Sequence, residues 1–324
     1  VGAETLLARE LREALAERPR SPRLELISAL EQSSLLTEDD GEPALLRALT
    51  AESLEGCAGA FLAGSPASAR RAHRLAKPGA PLLIDLTGAL EDQPNARLRA
   101  PLVEPEPVAL SPELIHVIAH PAAIALALFL GKLDAAALLR RVLVHVFEPA
   151  SERGQRGMDE LQQQSVALLS FQTLEREVYD TQVAFSMLPR CGEEAREPLA
   201  DIELRIDRHL ATLLGPWPRV PMPSLRVLQA PVFHGYTFSV WAEFEENPGP
   251  EKLAAAFASA AIEVRGAGEE PASNTGAAGQ DGLTVSDIAV DRNNPRAAWF
   301  FLAADNLRLA AVSALAAAER LLES

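Results

Sequence analysis

The sequence predicts an α/β fold of two domains, and three observations carry that prediction. First, apolar runs of strand length at residues 58–63, 81–85 and 114–119 alternate with helical segments at 6–17 and 67–77. That order is expected of a sheet flanked by helices. Second, from residue 141 onward the chain turns strand-rich, with candidate strands at 141–147 and 298–304. Third, an Ala/Leu-rich helix at 306–322 closes the chain. The expected domains are residues 1–121 with 303–324, of nucleotide-binding type, and residues 122–302, an α/β domain on a mixed sheet.

Composition narrows the function. With 324 residues, 48% of them hydrophobic, the chain can bury a full core in each domain. A formal charge of −15 disfavours nucleic acid, whose phosphates need clustered Lys and Arg. The apolar run at 122–130 meets Lys132 and Asp134 at once, short of a membrane span. Two cysteines, Cys57 and Cys191, make no disulfide framework, so a cytoplasmic protein is expected. No signal peptide is legible, and the sequence as given opens at Val1. No metal is expected.

Taken in order, Val-Gly-Ala-Glu-Thr-Leu-Leu-Ala (1–8) reads as a strand end and a turn at Gly2, entering an amphipathic helix at 6–17. Residues 24–28 form an expected second strand, followed by Glu31. Cys57 reads as a small core residue. The helix at 67–77 carries a solvated arginine face, and Leu-Thr-Gly-Ala-Leu-Glu (86–91) is a loop ending in Glu91. Ile-Ala-His-Pro-Ala-Ala-Ile-Ala-Leu (118–126) joins a strand to a helix, with Pro121 in the first turn. Such a junction aims free N–H groups and a positive dipole end at whatever sits there, which suits an anion or a thiolate. This sequence places Ala122 and Ala123 at that spot.

The strand at 141–147 leads to Glu148, and Gly-Gln-Arg-Gly-Met-Asp-Glu-Leu-Gln-Gln-Gln (154–164) reads as a glycine turn into a helix with acids in its first turn. The helix at 201–214 shows one apolar face of Ile202, Ile206, Leu210 and Leu213. In Arg226–Trp241, His234 and Tyr236 share a side if the segment is extended. Residues 266–282, rich in Gly, Ala and Ser, read as a mobile loop.

Several of these stretches together resemble the aspartate-semialdehyde dehydrogenase family, closest to its Usg-type paralogues. The Gly-x-x-Gly-Met-Asp-Glu-Leu-x-x-Gln run at 154–164 is the most specific match. Gln-Val-Ala-Phe-Ser-Met-Leu-Pro (182–189) and Asp-Asn-Leu-Arg (305–308) add to it. The resemblance implies a Rossmann-type NAD(P)-binding domain and a dimerisation domain of the semialdehyde dehydrogenase type. It also implies a homodimer made through the second domain, over 157–164 and 182–189, or pairing with a related protein.

In that register the family's nucleophilic cysteine falls on Ala123 and an asparagine on His120. Its carboxylate-binding arginine falls on Gln229, its general base on Tyr236, and its phosphate-binding arginine on Glu91. Of the Gly-Ala-Thr-Gly-x-x-Gly loop only Gly2 remains, with Thr5 and Ala8 at the other glycines. Glu31 stands where NADP-dependent members carry an arginine, so NADP is disfavoured and NAD stays compatible. The expectation is a member without catalysis or cofactor. Its residual ligand pocket would draw on His120, Glu148, Glu203, Arg205, Gln229, His234 and Tyr236; the alternative is an NAD-dependent oxidoreductase with altered chemistry.

Overall fold

The computed structural model describes residues 1–18, 22–30, 36–39, 42–77, 81–105, 111 and 113–322. Glu31 lies outside them. The chain divides into two compact units, Val1–His120 with Ala310–Ser324, and Pro121–Leu309.

The first unit opens with α1 (Leu6–Ala16), the β1–β2 hairpin (Leu36–Asp39, Glu42–Leu45) and α2 (Ala51–Leu54). Then β3 (Gly59–Leu62), α3 (Pro66–Leu75), β4 (Leu82–Asp85), β5 (Ala96–Arg99) and β6 (Ile115–Ile118) build a four-stranded parallel sheet in the order β3-β4-β6-β5. β4 and β6 are buried along their whole length, as parallel strands covered on both faces must be. α3 starts where the sequence provides for it: Ser65 and Ser68 form a reciprocal capping box around Pro66.

Residues 24–28 do not form the expected strand. Ile27 makes only an isolated bridge to Arg47, and the amide of Gly2 donates to Ile27 instead. Ahead of α1, the amide of Ala63 donates to Val1, which sets the first residues beside β3.

The second unit begins at α4 (Pro121–Ala136), a helix buried all round over Ala122–Leu130, as its uniformly apolar sequence requires. β7 (Leu139–Glu148) follows, then a short 3-10 turn (Ala150–Arg153), α5 (Gly154–Leu169), α6 (Leu199–Leu213), β8 (Ser224–Gln229), β9 (Tyr236–Phe244), α7 (Pro250–Phe257), β10 (Ile262–Val264), β11 (Leu283–Val290) and β12 (Ala297–Ala304). The strands form a mixed sheet in the order β10-β11-β12-β9-β7-β8. One face carries Val142, Val144, Val146, Phe238, Val240 and Phe300, all buried. Phe129 of α4, Phe257 of α7 and Phe300 meet there with ring centroids 4.9 to 5.8 Å apart, a geometry that favours aromatic pairs.

Two closing helices, α8 (Asn306–Ala317) and α9 (Glu319–Leu322), replace the single expected helix. The chain passes back to the first unit at Ala310, against an expected boundary at 303. The segment 266–282 is packed rather than a free loop. Ala272 and Ala277 are buried against Ala303, Asn274 donates to the carbonyl of His234, and Gly279 donates to Asp305.

α5 starts at Gly154, earlier than the sequence pattern implied, so its first turn holds no acid. Asp159 and Glu160 fall in the second turn, and Glu160 is buried, accepting from the amides of Val178 and Tyr179. Gln164 binds the amide of Val183 and the carbonyls of Glu175 and Thr181. Gly157, Glu160, Leu161 and Gln164 of the 157–164 run are thus used in internal packing, while Met158, Asp159, Gln162 and Gln163 keep exposed surface. The exposed apolar side chains lie just beyond it, at Val166, Leu169 and Phe171.

Candidate functional site

A buried polar cluster sits at one end of the mixed sheet, where β7 and β8 end and β9 begins. Glu148 and Gln229 are register partners on parallel strands, so their side chains leave the sheet on the same face. Both have no exposed surface, and neither does Tyr236.

The Gln229 amide nitrogen donates to the carbonyls of Glu148 and Ala230, at 3.0 and 3.2 Å. That fixes its orientation and leaves Oε1 as an acceptor without a hydrogen-bond partner. Both carboxylate oxygens of Glu148 are in the same condition. Arg153 lies 3.3 Å from Glu148 Oε1, but its guanidinium donates to the Glu197 carbonyl at 2.7 Å and to Cys191 Sγ at 3.6 Å. It also stacks over Tyr179, 5.1 Å from the ring centroid.

Burial strips water from the Glu148 carboxylate and pushes its pKa up to about 8; Glu152 and Glu197 add to this, and Arg153 offsets only part. Burial likewise raises the Tyr236 hydroxyl well above the usual tyrosine range, with Glu152 and Glu148 contributing. Tyr236 therefore stays a proton donor at neutral pH. The Cys191 thiol is half-buried, and burial raises it against the pull of Arg153.

Beside this cluster runs a second network. His234 Nε2 lies 2.8 Å from Asp305 Oδ2, and its Nδ1 is 3.2 Å from Ser151 Oγ. Ser151 donates to Asn306 Oδ1, whose amide nitrogen donates to Glu152. Asp305 also accepts from the amides of Gly279 and Arg308. Burial works to raise the Asp305 pKa, but the bonds from His234 and these two amides outweigh it and hold it below the usual carboxylate range.

Gly235, at φ +81, turns the backbone between His234 and Tyr236, so the two do not share one side of an extended strand. His234 has both ring nitrogens engaged, Nε2 by Asp305 and Nδ1 by Ser151.

The structure thus brings together Glu148, Gln229, His234 and Tyr236 from the expected pocket. Glu203 is used elsewhere: it accepts from the amide of Val227 and pairs with Arg226. Arg205 is a half-buried residue of α6. His120 is buried at the end of the first unit, and Ala123 has no exposed surface. Sequence reasoning missed Ser151, Glu152, Arg153 and Asn306 as members of the cluster. Only Asp305-Asn306 carried a signal, as part of the Asp-Asn-Leu-Arg motif.

In the first unit, Gly2–Thr5 form the turn ahead of α1. A Cβ on Gly2 would lie 2.3 Å from the Gly64 Cα, so glycine there serves a close backbone approach. Thr5 turns its hydroxyl onto the carbonyls of Gly2 and Ala63 and caps α1 by accepting from Ala8. This loop is filled by its own groups. Among the described residues no cluster has the makings of a metal site, and no helix is long and apolar enough to cross a membrane.

The semialdehyde dehydrogenase dimerisation domain model matches residues 130–309. A USG-1 protein homolog from Pseudomonas aeruginosa is 30% identical over 280 residues, covering 81% of this chain and 78% of that protein. The structure of a probable aspartate-semialdehyde dehydrogenase from Pseudomonas aeruginosa superposes with a TM-score of 0.83 at 28% identity, over 99% of this chain and 97% of that one. An aspartate-semialdehyde dehydrogenase from Candida albicans, solved with NADP, shares the fold at a TM-score of 0.69 and 13% identity, over 99% and 97% of the two chains.

Proposed function

We propose that this chain, which belongs to the semialdehyde dehydrogenase family with its aspartate-semialdehyde dehydrogenases and USG-1 homologues, is a non-catalytic member acting through assembly and ligand binding. One observation carries the reading. At the positions that the resemblance gives to nucleophile, carboxylate anchor and base stand Ala123, Gln229 and Tyr236, each without exposed surface. Reductive cleavage of an acyl phosphate needs a covalent thioester, which alanine cannot form. Tyr236, its hydroxyl pushed up by burial, accepts no proton near pH 7. Cys191 is a poor substitute, because its thiol is also raised.

The test is turnover of an acyl phosphate or semialdehyde with either nicotinamide cofactor. No rate above a no-enzyme blank is expected, for the parent and for Cys191→Ala alike; clear turnover would overturn the reading.

A second reading, an NAD-dependent oxidoreductase with altered chemistry, is favoured by the His234–Asp305 pair at 2.8 Å, which resembles a base held by its orienting acid. Affinity for NAD(H) or NADP(H) separates the two. The disfavour of NADP read from Glu31 is not carried forward: Glu31 lies outside the described residues, and a family neighbour is known with NADP. Both cofactors belong in the measurement.

Assembly is expected as a homodimer through the matched dimerisation domain, with a related protein as the alternative partner. A cytoplasmic location is part of the same proposal.

A further inference from the structure

We propose that residues 266–281 form a hinged lid over the His234–Asp305 pair, and that its opening sets access to that pair. The inference rests on the ligand-binding reading above and names how the site is regulated.

The flanks of the segment are fixed. The amide of Arg265 donates to Val285, and that of Leu283 donates to Ala261. A Cβ on Gly282 would lie 2.2 Å from the Ala261 carbonyl oxygen, so the chain is pinned from there onward. Inside these flanks stand Gly268, at φ +98, and Gly279, at φ +73. A Cβ at either would meet nothing within 4 Å. Glycine at these two positions therefore serves backbone freedom rather than close packing, which is what a hinge requires.

Between the hinges the segment holds its own shape. The amide of Ala277 donates to the Ser273 carbonyl, that of Gly276 to Ser273 Oγ, and that of Gln280 to the Ala277 carbonyl. Such a turn can lift as one piece. Its apolar hold on the domain is small: within 266–281 only Ala272 and Ala277 are buried, packed with Ala303 and Phe301. Polar ties add to this. The Ala272 amide donates to Ser286 Oγ at 3.0 Å, and Arg308 Nε donates to Asp281, whose side chain is 67% exposed. Few buried apolar contacts and hydrogen bonds within reach of solvent mark the parts of a fold that open first.

Two further ties end on the pair that the lid covers. Asn274 Nδ2 donates to the His234 carbonyl at 3.1 Å, and the Asn274 carbonyl oxygen would lie 2.7 Å from a Cβ on Gly235. The backbone of the lid thus rests on the residue next to His234. Asp305 Oδ2, which lies 2.8 Å from His234 Nε2, also accepts from the Gly279 amide at 2.8 Å. One carboxylate oxygen holds the histidine and latches the lid. When the lid lifts, Gly279 leaves that oxygen and Asn274 leaves the His234 backbone, so solvent and ligand reach the pair.

Hydrogen–deuterium exchange of the full chain tests the hinge, read at the amides of Ala272, Ala277 and Gly279 and at those of β12, a strand paired on both sides. All three lid amides are hydrogen-bonded when the lid is closed, so a rigid segment would protect them as strongly as β12. They should instead exchange at least about a hundredfold faster than β12, at a rate that low denaturant leaves unchanged, as local opening requires. Asn274→Ala combined with Asp281→Ala removes two ties and should speed the three amides about tenfold further, while β12 keeps its rate. Access is read separately, as modification of His234 by diethylpyrocarbonate located by peptide mass; it should be about tenfold faster in the double variant. Lid amides as protected as β12, a double variant that speeds β12 equally, or a His234 rate that the variant leaves unchanged would each overturn the proposal. The turnover assay is independent of these results: turnover sinks the non-catalytic reading, whereas protected lid amides without turnover sink only the lid.

Discussion

Glu148 makes stability depend on pH in a direction opposite to that of most carboxylates. Unfolded, it ionises near the ordinary value of 4.5; folded, its pKa is pushed up to about 8. Between those values the native state holds more protons than the unfolded one, so stability falls as pH rises from 4.5 to 8 and levels off above. The span is on the order of a few kcal/mol. Glu148→Gln should therefore raise the melting temperature relative to the parent at pH 8 and make little difference at pH 5. A gain of equal size at both pH values would argue against a protonated buried carboxyl. Asp305 behaves conversely, since its folded pKa is depressed: its stabilisation is present above pH 3.8 and lost as pH falls further. Asp305→Ala, which strands His234 and two amides, should cost about 2–4 kcal/mol in denaturant unfolding at pH 7. Of this cluster Gln229 and Tyr236 were legible through the register of the family resemblance, and His234 through its place two residues before Tyr236. The sequence could not show that Ser151 and Asn306 complete the His234 network, since those contacts join positions 151, 234 and 306, which no local pattern relates.

At the level of elements, the strands were legible wherever apolar runs or alternation were strong, as in β4, β7 and β12. They were not where a single bridge replaces a ladder, as at residues 24–28. α5 shows why its start was misjudged. Gly157 was read as part of an entering turn, yet it lies inside the helix, because a Cβ there would come within 2.5 Å of the Ala150 carbonyl and 2.9 Å of the Tyr179 hydroxyl. The glycine is a packing requirement between α5, the 3-10 turn and the segment that follows. Gly157→Ala adds helix propensity but forces these groups apart, so it should destabilise by about 1–3 kcal/mol. Chemical denaturation decides this; a stabilised variant would mean that propensity outweighs the clash. Glu160 and Gln164, whose side chains accept from the amides of Val178 and Val183, account for two more positions of the motif.

For the whole molecule, the question is what covers the second face of the mixed sheet. Helices α4 and α7 pack on one face, through the Phe129–Phe257–Phe300 contacts. On the other, Leu143, Trp241 and Trp299 stand in one row across β7, β9 and β12. Leu143 is 47% exposed and Trp299 42%. Both indole N–H groups donate to one oxygen of Asp291, at 2.8 and 2.9 Å, so the two rings are held with their apolar surface outward. Such a row costs solubility in a monomer and gains its value when covered. A two-fold axis through this face would bring each row against its copy, an isologous contact of the commonest kind. For an obligate pair the buried area should exceed about 2,000 Å². Leu143→Glu with Trp299→Glu places two charges per subunit in the centre of that contact and touches none of the helix-covered core. Light scattering at micromolar concentration should then report a dimer for the parent and a folded monomer for the double variant. A dimer that persists in the variant would move the interface to the exposed Val166, Leu169 and Phe171 at the end of α5. A parent that is itself monomeric would defeat the homodimer and turn the search to a related protein that pairs with this face.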